Sequence, residues 1–367
     1  MTAPGMGVSL LGLALSFGSV RARGPIMTGP PAMLSIFAPS MTLATALLLS
    51  FPVLAADENE RPYGARAYEG RIIDAESHPR TQNREELARH YADAAKAGVE
   101  RIIVMRTPND YRKPKREKLL GRNARFPNVT ILCSADFAGY IHDGQIERAR
   151  REVAKIREEL DAGRCAGVGE IGLRHYDKRW SRGGGQHEVF VPLDHPLVHQ
   201  VLATANLYAV PVVLHIEPVY KPRSIDNLAE VKRWYKEVCV KYPRLWLVAA
   251  HTGMMSPADL EELLLSCPNM LADFKVLHSE GATIGFADLH GINDLDFRFF
   301  KHWAAIFEKY PDRFIFGSDW KEGRKRGYLG RSYRKHIDLV RKMIGSLSPP
   351  VQEKLAYSNA KRVFRLP

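Results

Sequence analysis

The chain has 367 residues, of which 45% are hydrophobic and 26% are charged, and its formal net charge at pH 7 is +12. This composition supplies a large apolar core and so excludes a chain that is disordered throughout. The length fits two ordinary domains or one large barrel, and the basic charge favours anionic partners or surfaces without indicating a fold.

The first part of the chain is predicted to be a targeting segment. An apolar run at 43–54 is followed by the small-residue signal Val-Leu-Ala at 53–55 and then by acidic residues. The run is too short to span a bilayer. We therefore assign 1–56 as a signal peptide or leader and 57–69 as a linker, and expect a periplasmic or secreted protein without a stable membrane span after leader removal. A lipid-anchored or uncleaved N-terminal helix is the alternative.

From residue 70 onward, short β-branched runs alternate with amphipathic helical patterns such as 84–98 and 147–163. Strands that are apolar on both faces and separated by helices indicate a parallel sheet. Eight such units fit an α/β protein with one (β/α)8 TIM barrel over 70–367, and an open doubly wound sheet is the competing architecture. The eight predicted strands are 71–77, 100–106, 128–136, 165–172, 211–217, 245–251, 270–276 and 313–319.

The four cysteines show no CxxC pair and lie in apolar or helical contexts. We expect buried thiols rather than a disulfide framework, with one bridge left open if the protein is exported. The cysteines are Cys133, Cys165, Cys239 and Cys267.

Five of the predicted strands end in side chains that bind metals. Closing a barrel brings the carboxyl ends of its strands to one mouth, where barrel active sites lie. Imidazoles and carboxylates together form a mixed nitrogen and oxygen shell suited to zinc, manganese or iron, and a cation there compensates the buried charge. The predicted ligands are Glu76, His78, Glu170, His215, His251 and Asp319.

Taken singly, each of these residues has a structural explanation. His215 and His251 are explained equally well as hydrogen-bonded core histidines, Glu170 as an ion-pair partner at the barrel floor, and Asp319 as the cap of a following helix. Six such residues at matching strand ends favour a metal site over independent coincidences.

The motifs around these residues resemble those of the amidohydrolase superfamily, in particular its amidohydrolase-related branch, with some likeness to TatD-type enzymes. The resemblance covers about 70–365. Asp74-Ala75-Glu76-Ser77-His78 is similar to the family's Asp and His-x-His motif on the first strand, except that Glu76 replaces the first histidine. That carboxylate shifts the preferred metal from zinc toward manganese. The remaining matches are the Gly-Glu-Ile-Gly-Leu segment at 169–173, His215, His251-Thr252-Gly253, Gly317-Ser318-Asp319-Trp320 and the Asn-Ala-x-Arg-x-Phe ending at 359–364.

The resemblance implies hydrolysis by a water that one or two divalent ions, zinc or manganese, activate. Asp319 is then the catalytic residue that accepts a proton and passes it to the leaving group. Glu170 bridges two ions, with Glu76 and His78 on one ion and His215 and His251 on the other. With a single ion, His251 instead orients or polarises the substrate, so we also predict it to be catalytic.

The loops after the strands are basic, which predicts a positively charged mouth and a small anionic substrate. The alternative is that loop charges are simply solvated. The predicted substrate-binding residues are Arg174, His175, Arg179 and Lys321.

The sequence thus predicts a metal-dependent hydrolase that cleaves a C–N or C–O bond, in an amide, ester or lactone. Three alternatives stay open: a TatD-like nuclease or phosphodiesterase, in which case the partner is a nucleic acid; a metal-dependent decarboxylase; and a non-catalytic ligand-binding barrel. Homo-oligomer formation is also left open.

Overall fold

The computed structural model describes residues 66–78, 80–108, 110–112, 118–176, 188–276, 299–321 and 332–367. All of them belong to one compact unit, Glu58–Pro367. The predicted leader and most of the predicted linker lie outside the described residues, so both assignments stay predictions. Within the described part of the chain, no helix is long and apolar enough to cross a membrane.

The described residues contain eight parallel strands, and each overlaps one of the eight predicted runs. Most of their residues are buried, and several strands are buried along their whole length, as expected for parallel strands that are covered on both faces. The strands are β1 (Ile72–Ser77), β2 (Val99–Val104), β3 (Val129–Ile131), β4 (Val168–His175), β5 (Pro211–Ile216), β6 (Trp246–Ala249), β7 (Met270–Phe274) and β8 (Phe314–Phe316).

Helices follow most of the strands, and side-chain caps start several of them. Asn83 accepts from the backbone N–H groups of Glu85 and Glu86, which satisfies donors that the first turn leaves unpaired. The described helices are α1 (Arg84–Lys96), α2 (Leu119–Asn123), α3 (Phe137–His142), α4 (Ile146–Asp161), α5 (Pro196–Tyr208), α6 (Leu228–Lys241), α7 (Pro257–Ser266), α8 (Lys301–Lys309), α9 (Tyr333–Ile344), α10 (Pro349–Glu353) and α11 (Asn359–Val363). A π-helical turn, Lys354–Ser358, connects the last two.

The strands form two parallel sheets. One has the order β1-β2-β3, and the other has the order β8-β7-β6-β5-β4 with a short antiparallel strand, Val189–Phe190, beside β4. A separate two-stranded ladder pairs Val219–Tyr220 with Ile225–Asp226. The predicted mixed α/β class is confirmed, but the described strands do not form one continuous closed sheet. The reason is that β3 and β8 are only three residues long, which leaves little backbone for a ladder with the next strand.

Isolated parallel bridges nevertheless connect the edges of the two sheets. One joins Cys133, just after β3, to Val168 of β4, and the other joins Ser77 of β1 to Trp320, after β8. At the second bridge, His78 N donates to the Trp320 carbonyl over 2.7 Å, and Asp319 N donates to the Glu76 carbonyl over 3.0 Å. The backbone therefore brings the ends of β1 and β8 together.

The core has two parts, and successive strand residues alternate between them. Ile72 packs in the larger part, between strands and helices, whereas Ile73 packs in a smaller part that the strands enclose. Tyr357, Val363 and Phe364 from the C-terminal helical segment fill the smaller part. Fully burying a large apolar side chain stabilises a fold by about 1.5–3 kcal/mol, so both parts of the core hold the strands in place.

All four cysteines are paired. Cys133 bonds to Cys165 and Cys239 bonds to Cys267, with Cα separations of 5.3 Å and 5.4 Å. The expectation of free buried thiols was therefore wrong. Residues 28 and 32 positions apart in sequence meet because neighbouring elements pack side by side, and spacing along the chain does not indicate this.

We expect purified, unfolded protein to show no free thiol before reduction and four after it, since the chain has four cysteines. Loss of the second bridge in Cys239→Ser should lower the free energy of unfolding by about 3–4 kcal/mol, because the bridge closes a loop of moderate length in the unfolded chain. Thiol titration in denaturant and urea unfolding measure the two quantities. Four free thiols before reduction would contradict the pairing.

Candidate metal centre

The six predicted ligands lie in one buried cluster, and none of them is more than 7% exposed. All six ligands were predicted to lie at the carboxyl ends of their strands, and Glu170 does not. It is the third residue of β4, and the strand continues to His175. His215 lies near the end of β5, whereas His251 and Asp319 lie just beyond β6 and β8. The convergence is a finding, and the ligand roles of these residues stay a prediction.

His78 is the centre of one half of the cluster. Its Nε2 lies 3.2 Å from Asp319 Oδ1, 3.4 Å from Glu76 Oε1 and 3.6 Å from Glu170 Oε2. Its Nδ1 lies 3.1 Å from the Met105 carbonyl, to which it donates. A backbone acceptor on one ring nitrogen directs the other nitrogen toward the carboxylates, which is the arrangement that orients metal-binding histidines.

Glu170 joins this half to the other half of the cluster. While its Oε2 faces His78, its Oε1 lies 2.6 Å from His215 Nδ1 and 3.8 Å from His251 Nε2. Glu76 is oriented similarly, with Oε1 toward His78 and Oε2 3.4 Å from His251 Nδ1. Each carboxylate thus presents one oxygen to each side, as a bridging role for Glu170 requires.

The chemistry of the cluster fits a divalent cation. Both carboxylate oxygens of Glu76, His78 Nε2 and His251 Nδ1 are buried and have no hydrogen-bond partner among the described residues. Such atoms are costly unless something compensates them. Ligands bound to one metal at about 2.1 Å lie about 3.0–3.4 Å apart, close to the separations around His78. Four triplets of described residues bring their ligand atoms within 4.8 Å of one another, and three of them belong to this cluster.

Burial and crowding shift the pKa values of the ligands. Burial and the neighbouring Glu170 carboxylate raise the pKa of Glu76 to about 7. Burial alone would lower the pKa of His78, but the carboxylates of Asp319, Glu76 and Glu170 outweigh it and raise that pKa to about 10. Burial would also lower the pKa of His215, but the carboxylates of Glu170 and Glu217 outweigh burial and raise that pKa to about 9. Without a metal, the cluster therefore retains protons in place of the ion.

Asp319 and His251 shift in the opposite direction. Burial would raise the pKa of Asp319, but the ammonium groups of Lys275 and Lys321 outweigh burial and hold it well below its usual range. Lys275 Nζ lies 2.9 Å from Asp319 Oδ2, and Lys321 Nζ lies 2.5 Å from Oδ1. Burial and the nearby Lys275 keep the pKa of His251 well below its usual value. Asp319 is therefore ionised and His251 neutral at pH 7.

An unusual backbone segment aims His251 into the cluster. His251, Thr252 and Gly253 are consecutive residues with φ near +60°, a region that costs about 1–2 kcal/mol for each residue with a Cβ. Asp273 of β7 stabilises the turn, because its Oδ1 accepts from His251 N over 2.7 Å. Strain of this kind persists only where its surroundings fix it, and it concentrates at functional sites.

The ends of β1 and β8 are fixed by a buried carboxylate. Asp74 accepts from Ser318 N over 2.8 Å, Ser318 Oγ over 2.6 Å and Tyr333 OH over 2.8 Å. Burial raises the pKa of Asp74 to about 6 despite these bonds. Next to it, a Cβ on Gly317, directly after β8, would lie 2.9 Å from Glu76 Cβ, so only glycine allows the backbone to pass this close to Glu76.

The four predicted substrate-binding residues do not lie together at the cluster. Lys321 binds Asp319, and His175 Nδ1 lies 3.1 Å from His215 Nε2. Arg174 is 2% exposed, and its contacts are Glu230 of α6, over 2.6 Å, and the Phe190 ring. The side chain of Arg174 therefore points toward α6 and not toward the cluster. Arg179 lies outside the described residues.

Three residues of the site were missed by sequence reasoning: Glu217, Asp273 and Lys275. All follow the signal that identified the others, since each lies in or just after β5 or β7. Glu217 is two residues from His215, and Lys275 follows β7 directly. The seventh run, Met-Leu-Ala-Asp-Phe-Lys-Val, carries Asp273 and Lys275 two residues apart, a spacing that places both side chains on one strand face.

Comparison with known proteins gives a family match and several structural matches. A family model described as "Amidohydrolase" matches residues 73–366. A TIM-barrel protein from Bordetella bronchiseptica, described as uncharacterised, superposes with a TM-score of 0.50 at 13% identity over 81% of this chain and 99% of that one. This similarity supports a TIM-barrel fold.

Two further solved structures have 13% identity to the chain. An amidohydrolase from Burkholderia multivorans has a TM-score of 0.47 over 81% of this chain and 100% of that one. A 4-oxalomesaconate hydratase from Rhodopseudomonas palustris has a TM-score of 0.48 over 80% and 96%. No curated protein matches the sequence.

Proposed function

The chain belongs to the amidohydrolase family, and we propose that it is a metal-dependent hydrolase that cleaves a C–N or C–O bond, in an amide, ester or lactone, in a small anionic molecule. The observation that carries the proposal is the environment of His78 Nε2, which faces the carboxylates of Glu76, Glu170 and Asp319 within 3.6 Å. A buried imidazole facing three carboxylates forms a donor set for a divalent cation.

Zinc and manganese both suit this set. Glu76, His78 and Asp319 would hold one ion, His215 and His251 would hold a second, and Glu170 would contribute an oxygen to each. When bound, such an ion polarises the bond under attack and lowers the pKa of a water toward 7. The additional carboxylate of Glu76 favours manganese more than a histidine in its place would.

Asp319 is the proton carrier in this proposal. Its low pKa keeps it ionised, so it accepts a proton from the attacking water and returns it to the leaving group. His251 is the neutral neighbour that orients or polarises the substrate, since its pKa lies well below its usual value. Lys275 and Lys321 fix the Asp319 carboxylate between them.

The anionic character of the substrate rests on the same two lysines and on His175. The side chains of Lys275 and Lys321 are 24% and 17% exposed, so both residues border solvent beside the cluster. A substrate carboxylate there gains charge-assisted hydrogen bonds.

We also propose that the eight strands form a (β/α)8 barrel. The support is the pair of parallel bridges, Cys133 to Val168 and Ser77 to Trp320, that join the edges of the two sheets. A barrel places its active site at the carboxyl ends of its strands, where most of the cluster lies.

A periplasmic or secreted location is part of the proposal. Disulfides persist in oxidising compartments and are rare in the cytosol, and both cysteine pairs of the chain are bonded. The predicted leader at 1–56 agrees with export.

Metal affinity should rise with pH between about 6 and 9. The pKa values of His78 and His215, about 10 and about 9 in the metal-free protein, leave both imidazoles protonated at pH 7, and a metal ligand must lose that proton. Release of one to two protons increases the affinity by about 10- to 100-fold per pH unit. Competition with a chelator of known pH dependence measures this slope, and an affinity that is constant over the range would contradict it.

The function is tested by a hydrolysis screen of metal-reconstituted protein with Mn²⁺ and with Zn²⁺. The substrates are carboxylated lactones and N-acyl amino acids, the same compounds as neutral methyl esters, phosphodiesters and single-stranded DNA. We expect turnover of a carboxylated lactone or amide that falls when its carboxylate is esterified and disappears with the chelator. Release of CO2 without hydrolysis, or cleavage confined to DNA, would replace the proposal by the decarboxylase or nuclease alternative.

A further inference from the structure

A second group of metal-binding side chains lies beside the cluster, and we call it the outer triad: His175 at the end of β4, and His215 and Glu217 at the end of β5. His175 Nδ1 lies 2.9 Å from Glu217 Oε1 and 3.1 Å from His215 Nε2. His215 Nε2 lies 3.0 Å from the same Glu217 oxygen. The three atoms therefore form a nearly equilateral triangle.

The size of this triangle is that of one face of a metal coordination sphere. Three ligands that bind one ion at about 2.1 Å and at right angles to one another lie about 3.0 Å apart. Two imidazoles and one carboxylate on one face, with the remaining positions open, form a donor set that binds transition metals such as zinc and iron(II). The sides of the outer triad, 2.9–3.1 Å, fit this geometry more closely than the separations around His78.

The surroundings orient all three atoms toward the same point. Glu217 Oε2 accepts from Tyr176 N over 3.3 Å, which turns Oε1 toward the two imidazoles. His215 Nδ1 is directed away from the triad, toward Glu170, over 2.6 Å. The ring of His215 therefore faces the inner cluster with one nitrogen and the outer triad with the other.

The exposed fractions of the three side chains indicate where an ion could enter the triad. The side chains of His215 and Glu217 are 7% and 2% exposed, whereas that of His175 is 22% exposed. His175 is thus the member that borders solvent. A cation entering beside it meets the buried carboxylate of Glu217, which lies against the imidazole rings of His175 and His215.

We propose that His175, His215 and Glu217 form an additional binding site for a transition-metal ion, connected to the inner cluster through the imidazole of His215. This site goes beyond the hydrolase function, which requires only the inner cluster. The two sites share His215, which would serve the inner cluster through Nδ1 and the outer ion through Nε2, as an imidazolate that has released both ring protons.

The test is Zn²⁺ stoichiometry, measured on metal-stripped full-length protein by titration against a chromophoric chelator and by elemental analysis after desalting. We expect His175→Ala to bind one Zn²⁺ per chain fewer than wild type and to retain the Zn²⁺ of the inner cluster. Glu217→Gln, which keeps the side-chain shape, should lose the same ion. His302→Ala is the matched control, because His302 is exposed on α8 and its loss should change nothing.

Circular dichroism establishes that each variant is folded, and Glu217→Gln replaces His175→Ala if the latter is not. Zn²⁺ stoichiometry and affinity equal to wild type in both variants would overturn the outer site and leave a hydrogen-bonded triad that only orients His215. Loss of all Zn²⁺ in both variants would also overturn it, since the triad would then serve the inner ion. The two proposals fail separately, because His78→Ala should remove the ion that His78 holds in the inner cluster and spare the outer ion.

Discussion

Asp319→Asn is expected to lower kcat by about 10³-fold in metal-reconstituted protein without unfolding it. Positioned acid–base groups contribute about 10²- to 10⁴-fold to catalysis, and an amide cannot accept the proton that Asp319 takes up in the proposed reaction. Asn has nearly the same shape and should keep the fold, although its one carbonyl oxygen accepts from only one of Lys275 and Lys321, which lie 2.9 Å and 2.5 Å from the two carboxylate oxygens of Asp319.

The control for Asp319→Asn is the same substitution at an aspartate that lies away from the site. Asp312, whose side chain is 59% exposed and pairs with Lys354, provides it as Asp312→Asn, which should keep wild-type kcat. Steady-state kinetics on the substrate found by the screen, with metal content measured for each variant, gives the result. If Asp319→Asn carries a full complement of metal and turns over at the wild-type rate, another group carries the proton.

Glu76→Gln is expected to have opposite effects on the metal-free and the metal-bound protein. In the metal-free protein, burial and the Glu170 carboxylate raise the pKa of Glu76 from 4.5 to about 7. The folded state therefore binds this proton more tightly than the unfolded state, and stability is lost as the pH rises from about 4.5 through 7. Replacing the carboxyl by an amide removes this loss, on the order of 3 kcal/mol at pH 8.

The same substitution removes a charged ligand, so we expect metal affinity to fall by at least about 100-fold, more than the loss of an outer partner of a ligand costs. The measurements are Tm with chelator and with saturating Mn²⁺ at pH 8, and Tm with chelator at pH 5, where the difference from wild type should shrink. The matched control is Glu85→Gln, whose side chain is 85% exposed. A variant that is less stable than wild type without metal, or that binds metal as tightly, would contradict the role of Glu76.

The strands of this protein were predictable because each is a short, buried, β-branched or aromatic run. The isolated bridges that join the edges of the two sheets were not predictable, since the sequence of a three-residue strand such as β3 or β8 does not indicate which strand it pairs with. The disulfides were missed for a related reason. Cys239 and Cys267 meet only because α6 and α7 pack together, with the ion pair of Lys232 and Asp259 between them.

Six acidic and imidazole residues of the site were predictable from their position at strand ends and from a motif shared with a family, whereas Glu217 and Asp273 carried the same positional signal and were missed. Lys275 carried the same signal but is not a metal-binding residue type, so a search for ligands passed over it. Arg174 was predicted to line the mouth because it follows the fourth predicted strand, which ends at residue 172. In the structure β4 continues to His175, its register with β5 shifts between Gly172 and Arg174, and Arg174 contacts Glu230 of α6.

The central claim is that Glu76, His78, Glu170, His215, His251 and Asp319 together hold a divalent cation. Anomalous diffraction from crystals of the full chain grown with Mn²⁺, and separately with Zn²⁺, locates such an ion directly. We predict an anomalous peak within about 2.5 Å of His78 Nε2 and of a Glu170 oxygen. Density without any peak among these six side chains at saturating metal would contradict the claim.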